Sequence, residues 1–271
     1  MRRFAAVKEA SEHRHYAREL EMANANLLRA NRELEELTYV ASHDFREPLR
    51  MINIYTELLM QECGQKLSQE ASEFAGYIHY SVERMEHLIQ DVLQYSQAIH
   101  DGRQQQLGPV PVRRPLDSAI GIFRASLDSA AAEIEIGDLP VVLAEESQLS
   151  LVFQNLLSNS LKYAHPERTS RIRIWSTESP DFQTIHFADN GIGFEPEFSE
   201  RIFGLFKRLH GREVPGTGLG LAICRRIIEA HGGQIRAEGE SQQGATFIFS
   251  LKGLGDHGPG YADIAGRGQS G

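Results

Sequence analysis

From Leu20 to Leu59 the apolar residues recur in steps of three, four and seven, and this regularity constrains the first third of the chain more than any other feature. Leu20, Leu27 and Leu34 fall every seven residues, each followed three on by Ala23, Ala30 and Leu37. That is a coiled-coil seam. The four-residue steps Leu37, Ala41, Phe45 then break the heptad as a stutter does. Pro48, Ile52, Tyr55 and Leu59 continue one helical face. Gly64-Gln65-Lys66 reads as a helix stop and turn. A second helical pattern follows, carried by Ala71, Phe74, Ile78, Val82, Met85, Ile89 and Val92 and ending near Ser96. Two long helices joined by a short loop pack as an antiparallel hairpin, and two hairpins from two chains make a four-helix bundle. A monomeric bundle is the plainer alternative. The seam favours a homodimer, because it is too long to find its partner surface within one chain.

His43 lies two residues from both Ala41 and Phe45, which turns it off the seam and toward solvent. Asp44 adjoins it, and Glu47 follows one turn later. A neutral imidazole is a usable nucleophile near pH 7, and a carboxylate bonded to one ring nitrogen fixes the tautomer that attacks with the other. Asp44 must adjust its rotamer to serve, since neighbouring residues do not face each other on a helix. Pro48 removes the hydrogen bond to the Asp44 carbonyl and predicts a bend beside the histidine. The chain has 11 histidines, and an exposed helical one is ordinarily just surface. His43 therefore gains a chemical reading only from the rest of the chain.

A net charge of −9 and a pI near 5.7 argue against nucleic acid and against a basic membrane-surface role. Cys63 and Cys224 are far apart in helical patterns, as in a reduced intracellular protein. No apolar run approaches the ~20 residues of a membrane span, and no signal-peptide core opens the chain. These features predict a cytoplasmic protein. With no evident sensor domain in this sequence, the chain is expected to be either a fragment or a part that takes its input from an upstream sensor domain or sensor protein.

The organisation that follows is a stub over 1–16, a coiled-coil entry and helical hairpin over 17–100, a hinge over 101–108, a second domain over 109–252 and a Gly-rich disordered tail over 253–271. In the second domain, strand patterns begin at Val110 and Val112, at Ile134–Ile136 and at Val141–Leu143. Further strands are read at Ile172–Trp175, Thr184–Phe187, Gln234–Ala237 and Thr246–Leu251. Helical patterns cover Leu116–Ala131, Glu146–Tyr163 and Leu219–His231. Strands and helices without regular βαβ alternation predict an α+β layer, a sheet on helices.

Four clusters in that domain carry chemistry. Asn155 and Asn159 are one helical turn apart, and a neutral amide oxygen suits Mg²⁺, which keeps several waters and bridges to phosphates. Lys162 stands on the same side, within reach of phosphate. Asp189-Asn190-Gly191-Ile192-Gly193-Phe194 follows an alternating strand. Its carboxylate can accept from an exocyclic amine such as that of adenine, and its glycines allow close backbone approach. In Phe203-Gly204-Leu205-Phe206-Lys207-Arg208-Leu209, basic residues beside aromatics can clasp a phosphate chain. Gly216-Thr217-Gly218-Leu219-Gly220-Leu221 runs straight into a helix whose N-terminus favours anions. No strand precedes it, which argues against a dinucleotide fold, and no Gly-Lys-Ser/Thr makes it a Walker loop. Taken singly, each cluster also suits a bland reading: a polar helix stripe, a glycine turn, a packed core end.

Taken in order, the four clusters and the Ser42-His43-Asp44 helix resemble the sensor histidine kinase family from about residue 17 to 252. Asn155–Tyr163 resembles its N box, Asp189–Phe194 its G1 box, Phe203–Leu209 its F box and Gly216–Leu221 its G2 box. The wording His-Asp-Phe-Arg-Glu-Pro-Leu-Arg, with Lys-Arg-Leu-His-Gly-Arg before the last glycines, looks most like kinases attached to phytochrome-type or related cytosolic sensors. The resemblance implies an all-α dimeric hairpin followed by an α+β Bergerat-type ATP-binding sandwich. It implies that His43 is phosphorylated from ATP with Asp44 orienting the ring, and that a response regulator receives the phosphoryl group. By position, Asn159 would be the Mg²⁺ ligand with Asn155 beside it. Lys162, Tyr163 and Arg208 would contact phosphates, Asp189 would bind adenine, and Thr246 would sit near the base. Gly191, Gly193, Leu209 and the Gly216–Leu221 loop would complete the site, with Phe206 to Gly218 as a short lid. Glu47 stands where many members carry Thr or Asn, which predicts weak phosphatase activity toward the partner. The competing classes are a nucleotide-binding dimer scaffold without kinase activity and another ATPase of the same superfamily.

Overall fold

The computed structural model describes residues 22, 41–42, 44–63, 68–101 (backbone alone at 99–101), 107–179, 182–209 and 216–254. The chain divides into two compact units, Met1–Gln97 and Ala98–Gly271.

The first unit is a helical hairpin. Helix α1 covers residues 44–63, with residues 41 and 42 also helical, and α2 spans Gln69–Asp101. Ser68 opens α2, its hydroxyl accepting from the Ala71 N–H at 3.2 Å. Nothing resembling a stop occurs at Ser96, and the helix runs on to Asp101, next to Gly102. The helices meet through Leu49 on α1 and Ala75, Val82 and Leu93 on α2, all buried. Asn53 and His79 join them by a polar contact of 2.6 Å. The stripe that the periodicity assigns to a buried face behaves differently. Phe45, Ile52, Tyr55 and Leu59 are 59, 44, 63 and 51% exposed, and Phe74, Ile78 and Met85 on α2 are exposed as well. Each helix can turn only one face to its neighbour in a two-helix hairpin, so the second apolar face of each stays outside. The heptad seam between Leu20 and Leu37 and the turn at Gly64 lie outside the described residues, apart from Met22.

The second unit is a sandwich. Strand β1 (Gly108–Pro111) pairs antiparallel with β3 (Val141–Ala144) beside the main sheet. The main sheet holds β2 (Glu133–Ile136), β4 (Arg171–Glu178), β5 (Phe182–Asp189), β6 (Ile235–Glu240) and β7 (Gly244–Lys252), in the order β2-β4-β5-β7-β6. The helices are α3 (Arg113–Ser129), α4 (Glu146–Lys162) and α5 (Gly220–Ala230). Only β2 and β4 are parallel, and α4 supplies the crossover that parallel neighbours need. Alternation sets the faces: Ile172, Ile174, Ile185, Phe187, Phe247 and Phe249 are buried, while Arg171, Arg173, Arg236 and Glu238 point the other way into solvent. Phe153 of α4 meets Phe249 of β7 edge-on at 6.0 Å between ring centres, which joins the helical layer to the sheet. Helix α3 begins at Arg113, before the Leu116 start that the pattern suggests, because Pro115 falls in its first turn, where the missing N–H costs nothing. Gly253 is still held by a bridge to Val142.

The ends of α4 and α5 are tied together. Glu145 caps α4, its carboxylate accepting from the Ser147 and Gln148 N–H groups at 3.0 and 2.7 Å. The Glu145 N–H donates to Nε2 of His231 at 3.0 Å, and Nδ1 of His231 donates to the Ile227 carbonyl at 2.8 Å. This pattern requires the neutral ring, and burial lowers the His231 pKa accordingly.

Candidate functional site

Strand β5 delivers Asp189 to its end, level with Ala245 of β7. Oδ1 accepts from the Gly191 N–H at 2.9 Å, and Oδ2 lies 3.2 Å from the Ser160 hydroxyl of α4. Burial raises the Asp189 carboxyl above its ordinary value, opposed by the hydrogen bonds from Gly191, Ser160 and Ala245. The loop after it is wedged on two sides. The Ile192 N–H donates to the Tyr163 carbonyl at 2.9 Å, and the Gln242 N–H donates to the Ile192 carbonyl at 2.7 Å. A Cβ on Gly193, at φ +60°, would lie 2.0 Å from the Glu240 carbonyl oxygen, and one on Gly191 would lie 2.3 Å from that of Tyr163. Glycine is the residue that fits at both.

Helix α4 lays Asn159 and Tyr163 along the same cavity. No other described residue hydrogen-bonds the Asn159 side-chain amide, which leaves its oxygen available as a hard donor. Asn155 turns elsewhere: its amide donates to the Leu151 carbonyl at 2.9 Å, and its Oδ1 would lie 2.5 Å from a Cβ on Gly220. It packs the start of α5 against α4. Lys162 is exposed and off the cavity wall. Burial raises the Tyr163 phenol, and the nearby Arg208 guanidinium opposes this.

The basic segment after the 3-10 turn Arg201–Phe203 brings Lys207, Arg208 and Leu209 to the wall, which Ile202 also lines. Phe206, at φ +57° and 59% exposed, faces solvent instead. Gly218 has φ +79°, and a Cβ there would lie 2.9 Å from the Phe206 carbonyl carbon, so the glycine loop runs directly against this basic segment. Thr217 Oγ1 accepts from the Leu219 N–H at 3.3 Å, no side chain caps α5, and Leu221 reaches the cavity. Uncapped N–H groups of a first helical turn are donors for an anion.

The cavity encloses about 80 Å³ and is open to solvent. Its floor includes Phe194, Ala245 and Phe247, none of which the sequence singles out as ligand contacts. Thr246 requires correction. Its neighbours Ala245 and Phe247 face the cavity, so the two-residue strand period turns Thr246 to the opposite side, level with Ala188 and Glu238. That same period, read along β7, could have found Ala245 and Phe247. In the other unit, Asp44 and Glu47 are exposed and Ser42 is buried, while His43 lies outside the described residues.

A carboxylate fit to accept from a base, a hard oxygen donor and two cations along one cavity, and a glycine loop leading into a helix define a nucleotide-type ATPase sandwich. A helical hairpin precedes it in the chain. Residues 144–254 match the family model of the histidine kinase-, DNA gyrase B- and HSP90-like ATPases, and residues 33–100 match the His Kinase A (phospho-acceptor) domain. The phytochrome-like protein Cph1 of Synechocystis sp. is 40% identical over 236 residues, 87% of this chain and 31% of that protein. The sensor protein kinase WalK of Staphylococcus aureus is 30% identical over 227 residues, 81% of this chain and 54% of its own length. Among solved structures, full-length ShkA in complex with AMPPNP superposes with a TM-score of 0.61 at 27% identity, over 80% of this chain and 45% of that one. The chain belongs to the sensor histidine kinase family. It spans about a third of the length of the phytochrome relatives it matches. No helix among the described residues is long and apolar enough to cross a membrane.

Proposed function

We propose that this chain is an ATP-dependent protein histidine kinase that phosphorylates its own His43 and passes the phosphoryl group to an aspartate of a response regulator. The observation that carries the reading is the co-occurrence, in one chain, of a His Kinase A match spanning His43 and a cavity that brings Asp189, Asn159 and Arg208 together.

ATP fits that cavity by chemistry. Asp189 accepts from the exocyclic amine of adenine, Phe194 and Phe247 supply apolar walls for the base, and Lys207, Arg208 and the start of α5 face the phosphates. Mg²⁺ would arrive with the nucleotide, held by the Asn159 amide oxygen and phosphate oxygens, and would neutralise charge on the phosphates. The donor set agrees: among the described residues no group of three His, Cys, Asp or Glu forms a resident metal centre. A nitrogen of His43 attacks the γ-phosphorus. The N–P bond forms as the bond to the β–γ bridging oxygen breaks, and ADP leaves with the electron pair. Asp44 holds the other ring nitrogen and with it the attacking tautomer. The remaining catalysis is positioning and charge neutralisation.

The functional unit on this reading is a homodimer. The exposed apolar faces of α1 and α2 are the surface a second copy would cover, each large side chain contributing roughly 1.5–3 kcal/mol on full burial. The input comes from an upstream sensor, and the reaction takes place in the cytoplasm. The test is transfer itself. Protein labelled from γ-labelled ATP should pass its label to a purified receiver domain and should lose that ability on His43→Gln substitution. Label that stays on the kinase with every receiver offered would count against the transfer step.

A further inference from the structure

We infer that Ser160 is a positioning residue for the base-reading carboxylate: it holds Asp189 as the charged acceptor and so sets the pH below which nucleotide is lost. The inference rests on the proposed nucleotide site and adds to it a residue that does not line the cavity.

The argument starts from a proton count. Ser160 is 1% exposed, and its Oγ lies 3.2 Å from two acceptors at once, the Leu156 carbonyl and Oδ2 of Asp189. A hydroxyl has one hydrogen. If Ser160 gives it to Oδ2, Asp189 is ionised, with Gly191 on Oδ1 and Ser160 on Oδ2. If Ser160 gives it to Leu156, its oxygen can only accept, and Asp189 must be the acid and donate to it. The pair therefore has two self-consistent states that differ by one proton on Asp189. A hydrogen bond to an ionised group is roughly twice as strong as a neutral one, so the hydroxyl favours the ionised state, against the burial that disfavours it. Only that state presents a fully charged acceptor to an exocyclic amine.

Tyr163 at the end of α4 and Lys207 and Arg208 of the basic segment line the same cavity as Asp189, and the backbone N–H groups of Gly191 and Ala245 hydrogen-bond its carboxylate. Phenol, ammonium and guanidinium groups ordinarily titrate at roughly pH 10 and above. Asp189 is the carboxyl group of this set, and burial raises it above its ordinary value.

The test compares wild type with Ser160→Ala and Ser160→Thr, the latter keeping the hydroxyl. The first readout is the Asp189 carboxyl titration by carbon-detected NMR in ligand-free protein. The second is ADP affinity by calorimetry from about pH 8 to about pH 5. The wild-type to variant affinity ratio cancels ionisation of the phosphates. For Ser160→Ala the carboxyl midpoint should move upward. The ratio should stay within about twofold near pH 8 and grow to roughly three- to tenfold at the acid end, the size of one lost charge-assisted hydrogen bond less its neutral counterpart. Ser160→Thr should restore both. A ratio that is constant with pH, or an unmoved carboxyl midpoint, would overturn the inference and leave Ser160 a packing residue. No ADP binding by wild type, with the midpoint still shifting between variants, would overturn the nucleotide reading and keep the Ser160–Asp189 coupling.

Discussion

Asp189 carries two opposing demands, and a single substitution separates them. Burial disfavours its charge, and the proposed recognition of the base requires it. In Asp189→Asn the amide can accept from Gly191 and donate to Ser160, which then turns to Leu156, so these two hydrogen bonds survive. The variant should keep its fold and gain stability near pH 7, with Tm rising about 2–4 °C for ~1 kcal/mol in a domain of this size. It should lose nucleotide binding by more than about tenfold in calorimetry. A variant that bound ATP normally would remove Asp189 from base recognition. This residue's identity was legible in the sequence, because a carboxylate before Gly-x-Gly after a strand is a local pattern. Its partner Ser160 was not, since the contact spans 29 positions and depends on how α4 packs on the sheet. Thr246 was misread for a related reason: a motif gives a residue's order in the chain but not the face of the strand it occupies.

Elements are held in register here by close backbone approaches and by shared helix ends, and both can be tested. The loop after β5 fits under the β6–β7 turn only because Gly193 lacks a Cβ. Gly193→Ala should cost more than about 2 kcal/mol, combining a positive φ with a backbone collision. A chemical-denaturation midpoint within error of wild type would contradict that packing. His231 joins the C-terminal end of α5 to the N-terminal end of α4 as a neutral ring. Its pKa is lowered in the fold. As pH falls below roughly 6.5 the unfolded chain therefore binds a proton that the native state resists, and stability declines until the lowered native value is passed. Above that range the contribution is intact. His231→Gln should cost ~1–2 kcal/mol near pH 8 and show a flatter loss of stability toward pH 5.5 than wild type; parallel curves would mean that His231 does not titrate on unfolding. The strands and α4 were readable from period alone. The start of α3 was obscured by Pro115, and the use of each helical face in the hairpin could not be read from spacing, because spacing does not say which neighbour covers a face.

At the scale of the whole molecule, the exposed stripes of α1 and α2 mark the part of the fold that one chain leaves unfinished. Ile52→Glu places a charge in the middle of that face. It should lower the mass measured by light scattering from twice the 30.4 kDa chain toward one chain, while leaving the thermal transition of the ATP-binding unit within about 1 °C. A wild-type protein already monomeric at tens of micromolar would contradict the dimer. The histidine segment and the cavity were both legible as motifs, but only their order in one chain linked them, and that link is the central claim. The most direct measurement is incubation with Mg²⁺ and γ-labelled ATP, wild type beside His43→Gln, followed by acid and alkali stability of the label. The account predicts acid-labile, alkali-stable label on the wild-type chain and none on the variant. Nucleotide bound by both proteins with label on neither, or equal label on both, would contradict it.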